Sequence, residues 1–170
     1  MAIFQKKSVF SIVLMSVLLS ACTPGEADES KQPPQQVISK QFDVYKSPTC
    51  GCCTEWITHT EKRGFSSNTF HPADLTAQKE ALGVARQYHS CHTAVTKEGY
   101  VFEGHVPARL IEKFLQSPPK DALGLAVPGM PAGSPGMEMG DRFTPYEVLL
   151  LKKDGSSEVY EAISKQSEQY

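Results

Sequence analysis

The chain has 170 residues, of which 40% are hydrophobic and 21% charged, with a formal net charge of −2. That is enough apolar content for one globular domain with its own core. A mildly acidic balance gives no electrostatic case for binding nucleic acid, so no such partner is expected.

The first 21 residues read as an export signal. Lys6 and Lys7 form a basic start, and Ser8 to Leu19 form an apolar run too short to span a bilayer stably. Leu19-Ser20-Ala21-Cys22 resembles a bacterial lipobox, in which Cys22 is the lipidated first residue of the mature protein. The expected location is periplasm-facing and anchored to the membrane through that lipid. Thr23, rather than Asp, follows Cys22, which by resemblance to sorting rules in Gram-negative bacteria favours the outer membrane. Residues 22–40 have almost nothing to bury and read as a flexible tether with a coil span of about 23 Å. The folded domain is expected over residues 41–165.

Phe42, Val44 and Tyr45 suggest a first strand, followed by a turn holding Cys50-Gly51-Cys52-Cys53 and a helix carrying Cys53, Trp56 and Ile57 on one face. Asn68 to His71 is a short second strand. Asp74 caps a second helix with Leu75, Ala81, Leu82 and Ala85 as its apolar set. Cys91 to Thr96 and Tyr100 to His105 read as strands joined by a turn at Gly99, and Leu110, Ile111, Phe114 and Leu115 form a helical stripe behind Pro107. The order is β-α-β-α-β-β-α, and it resembles the thioredoxin/glutaredoxin fold. Residues 118–141 contain five prolines, five glycines, Met130, Met137 and Met139, and read as one long loop anchored at both ends. An extra β-hairpin follows, from Tyr146 to Leu151 and from Glu158 to Ile163, turning at Asp154-Gly155.

Three thiols in four residues, at a helix N-terminus that stabilises thiolate, point to redox chemistry or to a soft metal. Cys50 and Cys53 have the spacing of a thiol–disulfide oxidoreductase. Such enzymes carry a cis-proline at the head of the third strand, where this chain has Cys91-His92-Thr93. A cysteine there faces the first three and favours a metal site. Residues three apart on a helix lie about 60° apart in projection and can share one target, while neighbours lie about 100° apart. Cys50, Cys52, Cys53 and Cys91 therefore suit bridging several soft ions better than chelating one. The spacing is poor for structural zinc, and an iron–sulfur cluster would have to be assembled after export. Cu(I) favours thiolate and thioether and tolerates bridging sulfur. His92 and His105 are candidate further ligands, as are Met130, Met137 and Met139. His59, His71 and His89 are read as surface residues.

The runs Tyr45-Lys46-Ser47-Pro48-Thr49-Cys50-Gly51-Cys52-Cys53, Cys91-His92-Thr93-Ala94, Glu103-Gly104-His105-Val106-Pro107-Ala108 and Gly124-Leu125-Ala126-Val127-Pro128-Gly129-Met130-Pro131 together resemble the small exported metal-binding proteins typified by copper-resistance protein CopG. The resemblance spans about residues 42–152. It implies a thioredoxin-like fold and copper bound through Cys50, Cys52, Cys53 and Cys91. The function expected is copper resistance or homeostasis, with Cu(I), several ions per chain, held in a thiolate cluster that has redox activity at copper rather than classical enzymatic turnover. The alternative is a thiol–disulfide oxidoreductase using Cys50 and Cys53.

Overall fold

The computed structural model describes residues 39–170; the signal segment, Cys22 and most of the tether lie outside the described residues. The described residues form a mixed α/β structure with three α-helices and one seven-stranded sheet in the order β2-β1-β3-β4-β5-β6-β7. The strands are β1 (Gln41–Lys46), β2 (Ser66–Phe70), β3 (His92–Thr96), β4 (Val101–Glu103), β5 (Ala122–Ala126), β6 (Tyr146–Lys152) and β7 (Ser157–Ile163). The helices are α1 (Gly51–Glu61), α2 (Leu75–Ala81) and α3 (Ala108–Gln116). Pairings β1–β2 and β4–β5 are parallel and the other four are antiparallel. No helix among the described residues is long and apolar enough to cross a membrane.

Alternation along the strands divides the core between the two faces of the sheet, because successive side chains point opposite ways. Phe42, Val44, Phe102, Leu125 and Val148 meet the α1 and α3 side chains Trp56, Leu110, Ile111 and Phe114 in the larger cluster. Val101 and Ala126, the sequence neighbours of Phe102 and Leu125, point the other way and pack with Leu151 and Val84. Phe42 lies at the centre of the larger cluster, its ring 4.8 Å from Phe65 and 5.7 Å from Phe102. Trp56 is fully buried, and its indole N–H donates to the Val106 carbonyl at 2.9 Å, so no polar atom is stranded. The α3 stripe is buried as its periodicity predicts.

Three expectations are corrected. The segment 118–141 is not one continuous loop, because Ala122–Ala126 forms β5 between β4 and β6. Two prolines before that strand and Gly124 within it mask the strand signal. Helix α2 docks through Lys79, its buried residue, while Ala81 of the expected apolar set is exposed. His59 and His89 are half-buried rather than surface residues: His89 Nε2 lies 3.0 Å from the Val84 carbonyl oxygen, and His59 Nε2 accepts the Ala108 N–H at 3.0 Å. That bond satisfies the first free amide of α3, where Pro107 has no side-chain oxygen to offer.

Candidate metal centre

The thiol site is built by two junctions of the sheet. Strand β1 runs into the turn that ends at Cys50, and Cys50 is the N-cap of α1, its sulfur accepting the Cys53 N–H at 3.3 Å. Antiparallel pairing sets Lys46 of β1 opposite His92 of β3, which carries Cys91 to the head of α1. Strand β4 pairs with β3 through Thr93 and Glu103, and just beyond the ends of both strands the His105 ring comes to lie beside Cys91, its Nε2 3.0 Å from the sulfur. One sequence-distant cysteine and one sequence-distant histidine thus reach the three-thiol turn through ordinary strand register.

Single ligand atoms of Cys50, Cys52, Cys53 and Cys91 all lie within 4.8 Å of one another. A second group, Cys91, His92 and His105, meets the same limit and shares Cys91 with the first. Cys50 and Cys53 are joined in a disulfide with their Cα atoms 5.4 Å apart, while Cys52 and Cys91 are free. The Cys52 sulfur is 3.5 Å from that of Cys50, and the Cys53 sulfur is 3.8 Å from the Cys91 carbonyl oxygen. Burial, with Cys52 close by, pushes the Cys91 thiol up to about 12. It therefore keeps its proton at neutral pH until something displaces it.

The histidines are poised as neutral imidazoles. His105 is fully buried, and its Nδ1–H donates to the Pro135 carbonyl at 2.8 Å. A carbonyl only accepts, so this bond fixes the tautomer and leaves the Nε2 lone pair facing the Cys91 sulfur at 3.0 Å. Burial holds His105 below its ordinary pKa. His92 is also fully buried, tilted against Trp56 at 4.4 Å and edge-on to His105 at 5.1 Å, with Nδ1 3.3 Å from the Cys91 sulfur. Its Nε2 has no hydrogen-bond partner. Burial first, and then the nearby His105, Lys79 and Lys46, hold its pKa well below normal.

The proline- and glycine-rich segment after β5 covers the site. The Ser90 hydroxyl donates to the Gly129 carbonyl, and Gly129 N–H to the His89 carbonyl at 3.4 Å. At Gly136, φ is +84°, and a Cβ there would lie 2.6 Å from Trp56 N and 2.7 Å from the Cys52 carbonyl oxygen. Only glycine lets this backbone rest on the first turns of α1. Met130 and Met139 are exposed and Met137 is half-buried. The same segment borders a cleft of about 530 Å³ whose lining includes Glu55, His59, Lys62 and Tyr170 and none of the thiols.

Beneath the site lies a polar cluster that sequence reasoning missed. Lys79, 3% exposed, pairs with the fully buried Glu103. Lys79 also donates to Thr93 Oγ1 at 3.0 Å, Thr93 donates to the second Glu103 oxygen, and Ser90 N–H donates to Glu103 Oε1 at 2.6 Å. The short α2 pattern around a lysine carries no signal of burial, because long cationic side chains are ordinarily solvated.

Two solved structures titled copper resistance protein copG, forms 1 and 2, match the chain at 46% and 45% identity, each with a TM-score of 0.68. Each match covers 72% of this chain and 96% or 97% of the other. The chain belongs to the CopG family. Residues 88–137 also match the family described as protein of unknown function DUF411. That stretch contains Cys91, His92, Glu103, His105 and the covering segment up to Met137. No curated protein matches the chain. The CopG-family chain thus combines copper-resistance relatives with a cysteine cluster that could hold a metal ion.

Proposed function

We propose that this chain is an exported, lipid-anchored copper-binding protein of thioredoxin-like fold that serves copper resistance. It would hold Cu(I), several ions at a time, among Cys50, Cys52, Cys53 and Cys91. The observation that carries the reading is the approach of four sulfur ligands to within 4.8 Å of one another, a donor set too soft and too clustered for calcium or magnesium. Bridging sulfur lets four thiolates serve more than one Cu(I). His105 and His92 supply neutral nitrogen donors at the Cys91 edge, and Met130, Met137 and Met139 supply thioethers in the covering segment. Order β2-β1-β3-β4, with β3 antiparallel to its neighbours and α1 leaving β1 at the thiol turn, supports the thioredoxin-like assignment. Cys22, the signal segment and the outer membrane belong to the same reading and rest on the lipobox alone.

Two of the four thiols are spent in the Cys50–Cys53 disulfide, so reduction precedes loading. The test is anaerobic titration of the reduced domain, residues 23–170, with Cu(I), following bound metal and free thiols together. Two or more ions per chain with all four thiols consumed supports a bridged cluster. Less than one equivalent, or binding unchanged in Cys52→Ser, overturns it. The disulfide itself favours a second reading, a thiol–disulfide oxidoreductase in which Cys50 attacks and Cys53 resolves. Metal-free turnover with a dithiol donor, which is oxidised, and a disulfide substrate, which is reduced to two thiols, would favour that reading if it survives Cys91→Ser.

A further inference from the structure

The Lys79–Glu103 pair is out of place as a structural element. Burying two charges costs more in desolvation than an apolar pair of similar size, and buried salt bridges are weak sources of stability. Yet Lys79 is 3% exposed and donates to Glu103 and Thr93, while the fully buried Glu103 accepts at both of its oxygens. A helix as short as α2 could dock with an apolar residue at that position, and the expected apolar residue Ala81 faces solvent instead.

The bonds made by the pair converge on the backbone that carries Cys91. Glu103 Oε1 accepts Ser90 N–H, one residue before Cys91. Glu103 Oε2 accepts the Thr93 hydroxyl, two residues after it. Lys79 ties that hydroxyl back to Glu103 through its own bond to Thr93 Oγ1. Gly104 N–H, next in sequence, donates to the His92 carbonyl at 2.9 Å. Gly104 has φ of +72°, and a Cβ there would lie 2.6 Å from the Ser90 side chain, so β4 is pressed directly against this stretch. Cys91 meets α1 at its carbonyl oxygen, 3.8 Å from the Cys53 sulfur, while its own sulfur lies against His92 and His105, so the hydrogen bonds that hold this backbone come from Glu103 and Gly104.

We propose that Lys79 and Glu103 are positioning residues that clamp Ser90 to Thr93 so that the Cys91 sulfur is held facing the three α1 thiols. Glu103 is the clamp and Lys79 sets its rotamer while neutralising it. Neither touches the thiols. The role rests on the copper-binding reading only where copper is the readout, and the geometry it asserts exists in the metal-free protein.

The test uses the paired substitution Lys79→Met with Glu103→Leu, which removes both charges together and avoids stranding either one. Lys79→Arg serves as the conservative variant. The first readout is metal-free. In a Cys50→Ser/Cys53→Ser background, glutathione disulfide oxidises Cys52 and Cys91 to one disulfide and is itself reduced to two glutathiones. The equilibrium gives the effective concentration of one thiol at the other. The paired variant is expected to lower that value at least tenfold while the melting temperature of the reduced protein stays the same or rises, whereas Lys79→Arg alone, with Glu103 native, is expected to keep most of it. The second readout is the sulfur-to-copper charge-transfer spectrum and Cu(I) affinity of the otherwise native domain, expected to shift and to weaken at least tenfold. An unchanged effective concentration in a folded paired variant overturns the clamp. If the native domain takes up no copper while the effective concentration still falls, the clamp stands and the copper reading fails.

Discussion

Replacing Gly136 with alanine tests whether the covering segment is part of the site. Residue 136 would be held at φ +84°, which costs an L-residue about 1 kcal/mol. Its Cβ would also fall 2.6 Å from Trp56 N and 2.7 Å from the Cys52 carbonyl oxygen, both backbone atoms within a helix that cannot bend aside. The segment must therefore lift off α1 by several tenths of an ångström or more. The Pro135 carbonyl then draws back from His105 Nδ1, a bond worth about 1 kcal/mol. Together these give about 2–4 kcal/mol, read as the shift in a urea unfolding midpoint of the reduced, metal-free domain. Gly140→Ala is the matched control, because Gly140 has φ of +59° with nothing within 4 Å of its added Cβ. It should lose only the conformational part, about 1 kcal/mol. Copper affinity should fall for Gly136→Ala and hold for Gly140→Ala, since only the first frees the His105 ring. Equal losses in the two variants would refute the contact with α1.

Acid should weaken the protein through His59, whose pKa burial lowers from 6.5 to about 4. The neutral ring is favoured in the folded state, so its contribution is complete above pH 6.5 and is lost as pH falls through about 4. After allowance for partial exposure it amounts to about 2 kcal/mol. His59→Gln, which can still accept the Ala108 N–H, should flatten the urea midpoint profile between pH 7 and 4, and parallel profiles would contradict the assignment. Gly124→Ala would place a Cβ 1.7 Å from the Val101 carbonyl oxygen, so β5 must shift, at a cost of about 3 kcal/mol by thermal melting. A loss below 1 kcal/mol would mean that β5 is not held tightly to β4. Leucine at Met130, Met137 and Met139 together keeps bulk and removes the thioethers. If these sulfurs hold copper, Cu(I) affinity falls at least tenfold with melting unchanged; equal affinity would remove them from the ligand set.

The thiol turn was legible from sequence because its chemistry is local. Cys50, Cys52 and Cys53 belong to one turn, and the strand before and helix after it have the periodicity expected of each. The clean stripe of α3 and the strongly apolar run of β6 were legible for the same reason, since each is a local pattern of apolar residues. Strand β5 was not, because its pairing with β4 and β6 outweighs the prolines and glycine that mark the surrounding sequence as loop. His59 was not, because the amide it caps is 49 residues away.

By itself the sequence determined that a soft, clustered donor set sits at a helix start, with Cys91-His92 placed to oppose it. The tertiary structure decided the rest, because it depends on register and burial. Lys46 pairing with His92, and Thr93 with Glu103, are what bring Cys91 and His105 to the turn. Exclusion of water then holds the histidines neutral, and the Pro135 carbonyl aims the His105 lone pair. Lys79, whose composition marks it as a surface residue, becomes a buried partner of Glu103 only when α2 closes over the sheet.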